Sequence, residues 1–142
     1  MKEENDLHVI PSGIYSKGEV SLTEILISLK THPKIGDIGS ILTFSGIVRN
    51  TSKDGKPVEA LSIDAYEKLA NKTIEEIRAE LKKEPGIIEI IIIHFKGKFT
   101  LSEDLVHVVV GSSHREEGFK ILREAVERYK EGIAVWKKEH FT

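Results

Sequence analysis

Ile87-Ile88-Glu89-Ile90-Ile91-Ile92-Ile93-His94-Phe95 decides how the rest of the chain is read. The run is β-branched almost throughout, which favours a buried strand over a helix. It is interrupted by Glu89 and His94 and is too short to span a bilayer. Pro85-Gly86 breaks the chain before it, and residues 99–104 connect it to a second buried strand, the Val-rich stretch 105–112. Upstream, Leu69, Ala70, Ile74, Ile77 and Leu81 recur at helical spacing and predict a helix over 67–84. Residues 58–66 alternate Leu61, Ile63 and Ala65 against Ser62 and Asp64, the pattern of a half-buried strand. Before them, 50–56 is polar and contains Asp54-Gly55, a hairpin signal. The hairpin's first arm is predicted at 39–50, with Leu42, Phe44, Gly46 and Val48 on one face and Ile41, Thr43, Ser45, Ile47 and Arg49 on the other.

Further out, Ser21 and Glu24 form a capping-box pattern that opens a helix over 21–30, ended by His32-Pro33. Residues 7–10 read as a short strand stopped by Pro11-Ser12-Gly13, and 1–6 as a tail. Downstream, Ser113 and Glu116 predict a second capping box for a helix over 113–130, striped by Phe119, Leu122, Val126 and Tyr129 and stopped by Gly132. An apolar segment, 133–136, and a lysine-rich tail follow. Hairpins without regular βα alternation predict an α+β fold, a mostly antiparallel sheet with about three helices, in a single domain over 1–142.

Composition narrows the chemistry. The 142 residues include no cysteine, which excludes disulfides, thiolate metal sites, iron–sulfur clusters and a cysteine nucleophile. A formal charge of −2 gives no global basic field for nucleic acid, and aromatic residues are too few for a stacking platform. The six histidines show no metal-ligand spacing, so no metal site is expected; no Walker-type loop or G-x-G-x-x-G is present, and no cofactor is expected. No targeting segment or membrane span is visible, and a cytoplasmic location is the expectation.

Three places concentrate polar chemistry. At Gly111-Ser112-Ser113-His114-Arg115-Glu116 a buried strand passes into a helix N-terminus, whose N–H groups favour anions. Lys130, Lys137 and Lys138 flank Ile133-Ala134-Val135-Trp136, an apolar segment that wants burial and so draws its lysines towards a cleft, where desolvation lowers a lysine's pKa. Arg49 ends a long strand just before the polar turn.

Gly39-Ser40-Ile41-Leu42-Thr43-Phe44-Ser45-Gly46-Ile47-Val48-Arg49-Asn50 resembles the G-A-x-x-x-F-x-G-x-V-R-N signature of the large, catalytic subunit of molybdopterin synthase. Residues 61–67, Ser113-His114-Arg115 with Phe119, and Lys130 followed by Ile133-Ala134-Val135-Trp136-Lys137-Lys138-Glu139 are similar to three further blocks of that family, in the same order. The chain departs from the pattern at Phe95, where an arginine is usual, at Ala134, where a proline is usual, and at Ile47, often a lysine.

The resemblance implies a sulfurtransferase of molybdenum cofactor biosynthesis that converts cyclic pyranopterin monophosphate to molybdopterin. Sulfur would come from the C-terminal Gly-Gly thiocarboxylate of a small ubiquitin-like carrier, in a heterotetramer built on a homodimer. A chain without cysteine carries no persulfide, and the external carrier fits that. The resemblance implies catalytic Lys130 and Lys137, and substrate binding by Arg49, His114, Arg115, Lys138 and Glu139. A helix of about 16 residues spans roughly 24 Å, so His114 and Lys130 of one chain are not expected in one compact site, and a pocket shared across a dimer is the expectation. The alternative is a binding or assembly module of the same fold without activity.

Overall fold

The computed structural model describes residues 9–142. In chain order the elements are β1 (Gly13–Ser16), α1 (Leu22–Leu29), a 3-10 turn (Ile35–Asp37), β2 (Ser40–Ile47), β3 (Val58–Ala65), α2 (Glu67–Leu81), β4 (Ile87–Thr100), β5 (Asp104–Ser112), α3 (Arg115–Gly132) and β6 (Val135–Phe141). The expected α+β class holds: three helices accompany a six-stranded sheet ordered β2-β5-β4-β3-β6, in which only β1 runs parallel to its neighbour, β4.

The isoleucine run is apolar on both parities because β4 is covered on both faces. Ile90 and Ile92 pack with Val106, Val108 and Val110 beneath α2 and α3, against Ile74, Ile77, Ile121, Ala125 and Tyr129. Ile91, Ile93 and Phe95 pack on the other side with Val109 and with Ile25 and Leu29 of α1. A strand buried on both faces loses the alternation of a half-solvated one. Glu89 is tolerated at its start because Arg78, Lys82 and His32 meet it. Its Oε1 accepts from Arg78 Nη2 at 2.6 Å and lies 3.2 Å from Lys82 Nζ, and its Oε2 lies 3.3 Å from His32 Nε2. The Ile90 N–H donates to the same carboxylate at 2.9 Å.

Several boundaries differ from expectation. Leu7 and His8 of the first predicted strand lie outside the described residues, and Val9 and Ile10 are not in a strand. Pro11-Ser12-Gly13 leads into β1 instead of ending it. Gly13 has φ +153°, and a Cβ there would stand 2.8 Å from Asn71 Oδ1, the atom that accepts from the Ile14 N–H.

The Asp54-Gly55 turn forms and is closed by a Thr51–Pro57 bridge, but its arms are not sheet neighbours. β2 pairs with β5, whereas β3 pairs with the far end of β4 and with β6. β4 continues to Thr100 through Lys96-Gly97-Lys98-Phe99, of which only Phe99 is buried, so the apolar run marked only the continuously buried part. The C-terminal segment forms the outer strand β6 on β3.

The second capping box does not form. Ser113 Oγ donates to the Asp37 carbonyl at 3.0 Å, tethering the junction to the 3-10 turn, and the N-cap moves to His114, whose side chain makes no capping bond. The box at Ser21 and Glu24 forms as expected. Gly118 lets α3 lie close on the sheet: a Cβ there would stand 2.1 Å from Leu42 Cδ2 and 2.4 Å from Ser112 Oγ.

Candidate functional site

A cleft of about 690 Å³ opens where the end of β2, the 50–57 connection, β4, α3 and β6 meet. Each element delivers its residue for a local reason. The β2–β5 register shifts between Gly46 and Ile47, so the alternation expected for 39–50 fails at the end of β2. Ile47, Val48 and Arg49 all reach the cleft, together with Phe44 and Gly46. α3 ends just after Lys130, and its Nζ sits 5.8 Å from the centre of the Phe44 ring. On β6 the two-residue period sends Lys137 and Glu139 into the cleft and Trp136 and Lys138 to the other face.

The floor is His94 with Tyr129, their ring centres 5.8 Å apart. His94 is buried, and its Nδ1–H donates to the Phe95 carbonyl at 3.1 Å, which leaves Nε2 as the unprotonated nitrogen. Burial pushes its pKa down to about 4, and the nearby Lys137 charge adds to the shift, so the ring is neutral near pH 7. Burial pushes the Tyr129 hydroxyl up to about 12, and it stays protonated.

Arg49, Lys53, Lys130 and Lys137 face two carboxylates, Asp54 and Glu139, in this cleft. Among the described residues none of the four cations is in an ion pair. Lys137 keeps solvent-exposed surface, yet the cleft walls desolvate it enough to lower its pKa. Lys130 and then Lys53 lower it further, and Glu139 opposes them. Such a cleft is electrostatically suited to an anion and holds a lysine that releases its proton more readily than a free one.

Of the expected site residues, Arg49, Lys130, Lys137 and Glu139 come together here. His114 and Arg115 do not: they begin α3, the helix that Lys130 approaches the end of, and the His114 side chain is 83% exposed. Lys138 lies in a separate shallow groove with Trp136, Lys17 and Lys96. Phe95, the position of a missing arginine, is buried on the α1 side and does not line the cleft, whereas Ile47 does. Sequence reasoning missed His94, Tyr129 and Lys53 as cleft residues. The parity of His94 within the isoleucine run was the available signal for the first, but Lys53 looks like any residue of a polar turn.

The fold and cleft define an α+β protein that gathers four cations and two carboxylates around a concave site. The model of the family described as MoaE protein matches residues 16–132. The molybdopterin synthase catalytic subunit of Thermoplasma volcanium is 38% identical over 103 residues, covering 72% of this chain and 74% of the relative. That of a Nostoc species is 36% identical over 104 residues, covering 72% of this chain but only 62% of the relative's length. The crystal structure of molybdopterin synthase from Staphylococcus aureus superposes with a TM-score of 0.78 at 27% identity, covering 92% of this chain and 91% of that one. The chain belongs to the MoaE family, a family of enzyme subunits in molybdenum cofactor biosynthesis. Among the described residues no helix is long and apolar enough to cross a membrane.

Proposed function

We propose that this chain is the catalytic subunit of a molybdopterin synthase. It converts cyclic pyranopterin monophosphate to molybdopterin with sulfur from the C-terminal thiocarboxylate of a small ubiquitin-like carrier. The observation that carries the reading is that Arg49, remote in sequence, converges with Lys130 and Lys137 on one cleft with excess positive charge. The substrate is a phosphate-bearing anion and the carrier presents an anionic tail, so both suit these cations. The structural neighbour from Helicobacter pylori, at 21% identity and a TM-score of 0.73, is a complex of subunits 1 and 2 of molybdopterin-converting factor. The proposed carrier complex is of that two-subunit kind.

In this reading Arg49 grips the anion through paired N–H donors. Lys130 stabilises the oxyanion that develops at the thiocarboxylate carbon, and Lys137, with its lowered pKa, delivers a proton. Neutral His94 and protonated Tyr129 keep the floor free of charge, so the cleft's excess charge stays on the lysines and Arg49. His114 and Arg115, at the distant end of α3, serve the cleft of a second copy in a homodimer. Lys138, on the opposite face of β6, has no part in the cleft of its own chain.

The test is turnover with purified components. The chain mixed with a thiocarboxylated carrier is expected to produce molybdopterin from the precursor, and the chain alone is expected to be inactive. Sulfur transfer without a carrier would refute the carrier-dependent mechanism. No product with the thiocarboxylated carrier would favour a binding module that kept the fold.

A further inference from the structure

One cation of the cleft has no part in the reaction as assigned above. Lys53 lies in the 50–57 connection and lines the cleft with Arg49, Lys130 and Lys137. The connection is a closed clip. The Val58 N–H donates to the Asn50 carbonyl at 2.8 Å, and the Ser52 N–H to the Lys56 carbonyl at 2.8 Å. Ser52 Oγ accepts from the Lys56 N–H at 3.1 Å, and the Gly55 N–H donates to the Ser52 carbonyl at 3.0 Å. Ser52 is itself buried, and Gly55, at φ +81°, makes the turn that closes the clip. Lys53 is therefore projected from a backbone fixed on either side.

Holding several like charges together in a concave site costs free energy unless an anion joins them. Lys137 is faced by Lys130 from α3, Lys53 and Asp54 from the clip, Arg49 from just past the end of β2, His94 from β4 and Glu139 on its own strand. The carboxylates are too few to neutralise that set.

We propose that Lys53 is a substrate-positioning residue, whose ammonium engages the phosphate-type anion bound in this cleft together with Arg49. The proposal rests on the reading of the cleft as the substrate site. Lys53 has a second effect that a merely structural residue would lack. Its charge helps hold the Lys137 pKa down, so removing it lets that pKa rise.

Steady-state turnover with the thiocarboxylated carrier would be compared for wild type, Lys53→Ala, Lys53→Arg and Lys56→Ala. Lys56 lies in the same clip but does not line the cleft, so its loss removes the same charge from the molecule without touching the site. Lys53→Ala is expected to raise KM about tenfold, the scale of one lost charge-assisted hydrogen bond, with kcat within about threefold. The basic limb of its kcat/KM profile should move to higher pH. Lys53→Arg should restore both, and Lys56→Ala should change neither. Calorimetry with inorganic pyrophosphate as the probe should show binding to wild type weakened by a similar factor in Lys53→Ala. Wild-type KM, pH profile and pyrophosphate binding in Lys53→Ala would overturn the assignment. Pyrophosphate binding that depends on Lys53, in a wild-type chain that makes no molybdopterin, would uphold the anion site and overturn only the reaction.

Discussion

Lys130→Ala is expected to lower turnover by about 10²–10³-fold, the usual effect of removing one preorganised charge from a developing oxyanion. The folded state should hardly notice. Lys130 is exposed, follows the buried Tyr129, and makes one described contact of note, its cation–π approach to Phe44. Such an exposed contact contributes about 0.5–1 kcal/mol. The variant should therefore melt close to wild type and still bind the carrier while failing in the assay. Lys130→Arg separates two roles. If the positive charge alone matters, it should restore much of the rate. If the amine must give up a proton, it should not, because a guanidinium stays protonated. Wild-type rates in Lys130→Ala would move the assignment to Lys137.

The largest expected loss of stability lies away from the cleft. Glu89→Ala removes the carboxylate that meets Arg78, Lys82 and His32 at the start of β4. Arg78 is itself largely buried, donating through Nε to the Ile90 carbonyl; it would lose its buried partner and keep only the more exposed Glu75. Breaking a buried pair by removing one partner costs about 3–5 kcal/mol, readable as a lower urea midpoint at neutral pH. Burial is the largest single influence on Glu89 and raises its pKa, but Arg78, Lys82 and the Ile90 N–H together outweigh it and leave it below the usual carboxylate value. A depressed carboxylate contributes stability above its unfolded pKa and loses that contribution as pH falls through the folded one. The gap between wild type and Glu89→Ala should therefore narrow in acid. A gap that persisted unchanged below the folded pKa would show that the carboxylate's charge is not what holds the cluster.

The central strands and the helical stripes were legible in the sequence because their residues answer to local rules. Ile87 to Phe95 cannot satisfy a helix, and Ile74, Ile77 and Leu81 cannot satisfy a strand. Pairing was less legible. Asp54-Gly55 announced a turn correctly, but a turn does not say that its arms stay together. β2 remains with β5, and the Val48 N–H and carbonyl bond to Glu103 and Ser102 at the β4–β5 turn. β6 was hidden because an outer strand with exposed Trp136, Lys137, Lys138 and Glu139 has no clear polar and apolar faces. Ser113 was assigned a cap because spacing cannot show that Asp37 would claim its hydroxyl. Lys130 and Lys137 stand together in the sequence around the apolar 133–136 segment, but only the resemblance joins Arg49 to them, since no short-range spacing links it to the lysines. Lys53 was missed because nothing in a polar turn reports which way it faces.

β4 gives the cleft walls of unequal stiffness. The strand that carries Ile90 through Ile93 in the middle of the core continues directly into His94 on the cleft floor. Exposing the floor amides to solvent exchange therefore means opening the core, so they belong to the unit that opens only with global unfolding. Lys137 sits instead on an outer strand paired on one side, with most of its side chains exposed, and such segments open at a small fraction of the global free energy. The cleft is thus hinged on one side and anchored on the other: any adjustment to a bound guest comes from the lysine wall, while the imidazole beneath it stays in place.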